Sequence, residues 1–183
     1  MTIKGRVALT GRPGVGKTTL IERVLAELDG RIGGFLTRET RKCGHRIGFS
    51  LLDLSAGTET LVARVQASGA PRVGRYVVDV AAIDRVGVGA VLRALANADL
   101  IVIDEVAPME LLAPRFVYAV EQALASDKGL LIATHANATH PVADRVRQEL
   151  HLVRVRLGNR DALVEQVRSL LHGETSVSLP PNP

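Results

Sequence analysis

The stretch GRPGVGKTTL, residues 11–20, brings glycines, a lysine and two hydroxyls together at the spacing of a phosphate cradle. Gly11 is followed, four residues later, by Gly16-Lys17-Thr18, the complete P-loop pattern. Gly11, Gly14 and Gly16 let backbone N–H groups converge on phosphate oxygens where a Cβ would intrude. A helix starting here adds the positive end of its dipole. Lys17, one of only four lysines in the chain, carries a mobile charge to the β and γ phosphates, and Thr18 offers a hydroxyl to Mg2+. Arg12, Pro13 and Val15 complete the predicted nucleotide-binding loop. Thr19 is taken with it, although continuing the helix is the plainer role for its side chain.

A second chemical signal lies in LIVIDEVAPMEL, residues 100–111, where an apolar run ends in two adjacent carboxylates, Asp104 and Glu105. An acid at the tip of a strand beside a P-loop organises Mg2+, often through water. Thr18 and Asp104 are therefore the predicted metal residues and Mg2+ the predicted cofactor. Glu105, one residue on, is expected to turn to the opposite side, toward the γ-phosphate, and there to hold or deprotonate an attacking water. The plainer alternative is a surface acid in a strand-to-helix loop. Lys17 and Glu105 form the predicted catalytic pair.

These groups need strands to present them. Ile3 to Leu9 reads as a short buried strand, and 17–29 as a helix with Leu20, Ile21, Val24, Leu25 and Leu28 at helical spacing. GGFLTRET and RIGFSLLDL flank the Gly-containing RKCGH and predict a β-hairpin. ETLVARV and RYVVDV add short strands, and VGVGAV at 86–91 reads as a break between helix pieces. Then LIVID is a strand, 110–126 a helix, GLLIAT a strand, 141–149 a helix, HLVRVRL a strand and 159–172 a helix. Apolar strands alternating with helices predict an α/β fold, a mostly parallel sheet covered on both faces, with an antiparallel insertion at 33–80. Residues 1–173 read as a single domain. The end ETSVSLPPNP, residues 174–183, has three prolines and no periodicity and reads as a flexible tail.

Composition narrows the function classes. The chain has 183 residues, 46% hydrophobic and 23% charged, with 3% aromatic and no Trp. Its core must come from Val, Leu, Ile and Ala, and it has few platforms for stacking single-stranded nucleic acid. The net charge of +4 is spread along the chain without a Lys/Arg block, which argues against a nucleic-acid partner and for phosphorylated small molecules. The single cysteine, Cys43, excludes an internal disulfide and a Cys-based zinc cluster. The N-terminus is not a signal peptide, and no apolar run reaches the ~18 residues of a membrane span. The expectation is a soluble cytoplasmic protein with no membrane partner. Nothing in the chain specifies an oligomeric state.

GRPGVGKTTL, GGFLTRE, VGRYVVDV, LIVIDEVAPMEL and THPVADRVR…NRDAL, in that order, resemble the small nucleoside-triphosphatase family that includes the cancer-related nucleoside-triphosphatase and its thermophilic bacterial homologue. The resemblance runs from residue 5 to about 170. It implies a RecA-like P-loop fold and slow Mg2+-dependent hydrolysis of several nucleoside triphosphates to diphosphates, with the loop at Gly11 to Thr18 and the metal and water acids at Asp104 and Glu105. It also implies that Asn159-Arg160-Asp161 lies near the base, with Arg160 stacking on it. One departure is visible: many members read GKMEL after the acid pair, whereas this chain has Pro108 in place of the lysine.

Other residues have a chemical and a plainer reading. Arg38 and Arg75 could act as an arginine finger, a solvated strand arginine being the plainer role. Glu110 reads as a first-turn helix acid, with a second catalytic role as the chemical alternative, and Thr134 as a polar strand end or a γ-phosphate sensor. His135 and His140 lack a third ligand for zinc. A nucleotide or nucleoside kinase is the alternative function, with RETRKCGHR as an arginine-rich lid. A GTP switch lacks N-K-x-D, and a transporter ATPase lacks LSGGQ.

Overall fold

The computed structural model describes residues 3–66 and 68–174. In chain order its elements are β1 (Arg6–Gly11), α1 (Lys17–Ala26), β2 (Ile32–Lys42), β3 (His45–Asp53), β4 (Glu59–Val65), β5 (Arg72–Val73), β6 (Tyr76–Val78), α2 (Val80–Ala82), α3 (Gly89–Asn97), β7 (Leu100–Val106), α4 (Pro114–Ala125), β8 (Gly129–His135), α5 (Pro141–Glu149), β9 (His151–Arg154) and α6 (Arg160–Leu171). A wide-turned π segment, Ile83–Val88, joins α2 to α3, where VGVGAV predicted a break. The strands form one mixed sheet in the order β5-β6-β4-β3-β2-β7-β8-β1-β9.

Strands β2, β7, β8, β1 and β9 run parallel. The runs in β7 and β8 are apolar on both faces because helices cover both. On one face Val7, Leu9 and Val102 pack with Leu20, Ile21 and Val24 of α1 and with Val164 and Val167 of α6. On the other, Ile101, Ile103 and Ile132 pack with Phe35, Val91 of α3, Phe116 of α4 and Val142 of α5. Because β1, β7 and β8 run the same way side by side, the residues that follow β1 and β7 emerge at one edge of the sheet.

The antiparallel insertion differs from its predicted bounds. GGFLTRET is not only a hairpin arm: Ile32 to Leu36 pair in parallel with Leu100 to Asp104 of β7, and the same strand then continues as the first arm of the β2–β3 hairpin. Gly34 makes this possible. Its φ is 101°, and a Cβ there would lie 1.9 Å from the Val102 carbonyl oxygen of β7. The hairpin closes on Cys43-Gly44, with φ of 48° and 76°, the positive pair that suits a two-residue turn. RYVVDV yields only a three-residue strand, because Asp79 accepts the Ala82 N–H and starts α2.

The predicted helix at 110–126 is split. Glu110–Leu112 form a single tight 3-10 turn and α4 begins at Pro114. Proline disfavours a helical predecessor, and Ala113 is extended, while the proline itself suits the first helical position. The predicted tail falls, from residue 175 on, outside the described residues.

Candidate active site

β1 delivers the chain to Gly11, and α1 begins at Lys17. Between them Gly14 and Gly16 hold φ of 74° and 98°, a left-handed conformation that side chains resist. Gly16 caps α1, and no acid sits in its first turn. The positive end of the helix is thus left for an external anion.

The second wall is β7. Strict alternation would put Asp104 toward α1, with Val102, and Glu105 toward α3 and α4, with Ile103. The ladder is broken there: Ile103 pairs with Ile132 and Val106 with Thr134, so Asp104 and Glu105 together oppose the single Ala133. This two-for-one bulge re-aims the second acid. Both carboxylates meet the first residues of α1, which corrects the expectation that they face opposite sides. The Thr18 hydroxyl donates to Asp104 Oδ2 at 2.6 Å, and Lys17 Nζ lies 3.1 Å from Glu105 Oε2 and 3.3 Å from the Gly11 carbonyl oxygen. Thr37, the first residue of β2 past its parallel pairing with β7, donates to the Asp104 carbonyl.

The site is desolvated. Asp104 is 1% and Lys17 6% exposed. Burial pushes the Asp104 carboxyl up to about 7; the Glu105 charge adds to the rise, and the Thr18 hydroxyl and Lys17 oppose it. Glu110 stands in the first turn of the 3-10 segment, as expected of a first-turn acid, but its burial was not foreseen. It is 2% exposed, one carboxylate oxygen has no hydrogen-bond partner among the described residues, and burial, reinforced by Glu105 and Asp104, holds its pKa well above the usual carboxylate range. The only signal for this in sequence is its apolar company, Met109 before and Leu111-Leu112 after. Thr37 was missed as well.

The remaining predicted residues divide. Arg160 lies against the loop: a Cβ on Gly16 would meet its Cδ and Nη1 at 3.1 Å. Thr19 is exposed on α1 and Pro108 is exposed after β7. Thr134 is buried and donates to the Val106 carbonyl at 3.3 Å. Arg38 is paired with Glu22 of α1 and with Glu59. Arg75 is not at the site; it donates to the Arg46 carbonyl and the Tyr76 hydroxyl. Of the three arginines of the suggested lid, Arg38 is held by Glu22 and Glu59, and Arg41 and Arg46 are both paired with Glu39. His135 and His140 each accept a backbone N–H, from Asn137 and Val142.

Comparison with known proteins places this geometry. The family model described as NTPase matches residues 6–168. The nucleoside-triphosphatase THEP1 of Methanosarcina acetivorans is 47% identical over 166 residues, covering 88% of this chain and 94% of that protein. The THEP1 of Archaeoglobus fulgidus is 41% identical, covering 92% and 99%. Among solved structures, THEP1 from the hyperthermophile Aquifex aeolicus superposes with a TM-score of 0.83 at 29% identity, covering 91% of this chain and 98% of that one. The human cancer-related nucleoside triphosphatase follows at 0.76 and 33%, covering 94% and 100%. With the family match running from β1 through most of α6, the chain belongs to this NTPase family.

Proposed function

We propose that this chain is a P-loop nucleoside-triphosphatase that hydrolyses nucleoside 5′-triphosphates to diphosphate and phosphate, with Mg2+ as cofactor. The observation that carries the reading is the bulge at Asp104-Glu105, which aims two adjacent carboxylates at Thr18 and Lys17. The strand order, with β8 between β1 and β7, supports a RecA-like arrangement.

Thr18 Oγ1 and Asp104 Oδ2 are hard oxygen donors that converge, as suits a small cation held by one or two protein oxygens and completed by phosphate and water. When bound, Mg2+ supplies positive charge to the β and γ phosphate oxygens. The loop amides and the start of α1 hold the polyphosphate. Lys17 exchanges Glu105 for phosphate oxygens as the substrate arrives. Glu105 then takes the proton of a water attacking the γ phosphorus. The bond from that phosphorus to the bridging oxygen breaks, and the diphosphate leaves with the electron pair. Arg160, beside Gly16, is placed to contact the nucleotide.

Selectivity among bases is modest in this reading, because no N-K-x-D segment supplies an acid for guanine N–H groups. No helix among the described residues is long and apolar enough to cross a membrane, which is compatible with action in the cytoplasm. Phosphate release from ATP, GTP, CTP and UTP with Mg2+, with and without nucleoside acceptors, tests the proposal. Equal yields of diphosphate and phosphate are expected whether or not an acceptor is present. Phosphoryl transfer to an acceptor at the expense of phosphate release would establish a kinase instead. A preference beyond ~10³-fold for one base, about 4 kcal/mol, would contradict the modest selectivity.

A further inference from the structure

Beside the glycine loop, on the α5 side of the sheet, lies a cleft of about 830 Å3. One wall is the outer face of residues 11–15, and the opposite wall is formed by the end of β9 and the chain that leaves it. Its apolar lining includes Val15, Leu152, Val155 and Leu157, and Leu157 is 89% exposed. Its charged lining is entirely arginine: Arg12, Arg147, Arg154 and Arg156. No acidic or amide side chain lines it; Thr10 adds a hydroxyl.

These arginines differ from most in the molecule. Five of the chain's arginines have no side-chain hydrogen bond or ion pair among the described residues: Arg12, Arg85, Arg115, Arg154 and Arg156. Three of the five line this one cleft. Arg147, the fourth in the lining, is fixed by the His135 and Ala138 carbonyls and by Asp144. A general surplus of surface arginine does not explain unpaired guanidiniums gathered around an apolar floor next to a phosphate loop.

We infer that this cleft receives the nucleoside end of the substrate and prefers bases whose exposed edge carries acceptors: guanine and hypoxanthine before adenine and cytosine. The inference rests on the P-loop reading above. A triphosphate seated at the start of α1 must send its base to one side of the loop. On the α6 side the Arg160 side chain already lies against Gly16. On the α5 side the cleft is open. Guanidiniums stack on planar rings and offer only N–H donors. The O6 and N7 acceptors of guanine, which hypoxanthine shares, match such a fork, whereas the adenine N6 amine opposes it with a donor. The missing acid for the guanine N1 and N2 groups means that GTP and ITP are treated alike.

The test compares kcat/KM for GTP, ITP, 7-deaza-GTP and ATP in the wild type and in an Arg154→Ala/Arg156→Ala variant. Both arginines are exposed, so folding is not at stake. GTP and ITP are expected to exceed ATP by about tenfold, within the range for one good arginine–base pair. The advantage should appear in KM, shrink with 7-deaza-GTP, which lacks the N7 acceptor, and fall to about one in the variant. Wild-type ratios near one, or ratios unchanged in the variant, overturn the inference. Calorimetric binding of GDP, IDP and ADP with Mg2+ is read in parallel. If no triphosphate is hydrolysed, the hydrolase reading fails while the binding ratios still decide the cleft: a preference for GDP and IDP that the variant loses supports it, and equal affinities overturn it.

Discussion

At the scale of single residues, the site depends on charges placed where water cannot compensate them. Lys17→Ala removes the mobile cation and leaves Glu105 without its partner. Turnover should fall by at least ~10²-fold, the cost of losing one strong transition-state contact, while the far-ultraviolet circular dichroism stays that of the wild type. Glu110 makes a separate prediction. Its folded pKa is raised, so the folded state binds this proton more tightly than the unfolded chain, whose reference value is 4.5. Its contribution to stability is most favourable below that value and is lost as pH rises through the folded pKa. Glu110→Gln should therefore flatten the fall in melting midpoint expected as pH rises above that reference value of 4.5. An unchanged pH profile would show that this carboxyl is not held neutral. Sequence alone singled out Lys17, Thr18, Asp104 and Glu105 as candidates from local spacing, and the structure brings the four together. Glu110 was not legible, because its burial is set by how residues 107–113 fold under β7.

At the scale of elements, the parallel strands and their covering helices could be read from apolar runs and helical spacing. What could not be read depends on neighbours far away in the chain. The bulge at Asp104-Glu105 is a property of the β7–β8 register. The dual role of β2 depends on β7 lying beside it, and the basic cleft joins Arg12 to residues more than a hundred positions later. The helix predicted at 110–126 failed at a local rule, the extended residue before Pro114. Gly34 tests the element that carries Thr37 to the acid pair. Gly34→Ala forces a side chain into a left-handed backbone and against the Val102 carbonyl. A loss of about 3 kcal/mol or more is expected from the strain and the broken β2–β7 pairing. Chemical denaturation measures it, and a loss under about 1 kcal/mol would mean the two strands separate without cost.

At the scale of the whole molecule, the glycine loop, β7 and the end of β9 come together at one edge of the sheet, so a nucleotide bound as proposed would tie all three to the core. A ligand that binds only the folded state stabilises it by about 2.7 kcal/mol at a hundred times its Kd. For a chain of this length that is an increase of about 5–10 °C in Tm, which Mg2+ with GDP or ADP should produce and which Lys17→Ala should diminish. Hydrolysis, with water as the acceptor, is tested most directly by Glu105→Gln. The substitution keeps size and hydrogen bonding but removes the base and the carboxylate that holds Lys17. Nucleotide affinity should stay the same or tighten, while single-turnover phosphate release falls by about 10²–10⁴, roughly 3–5 kcal/mol in the barrier. Release at near wild-type rate in that variant would make the second carboxylate structural and contradict the proposed role of Glu105.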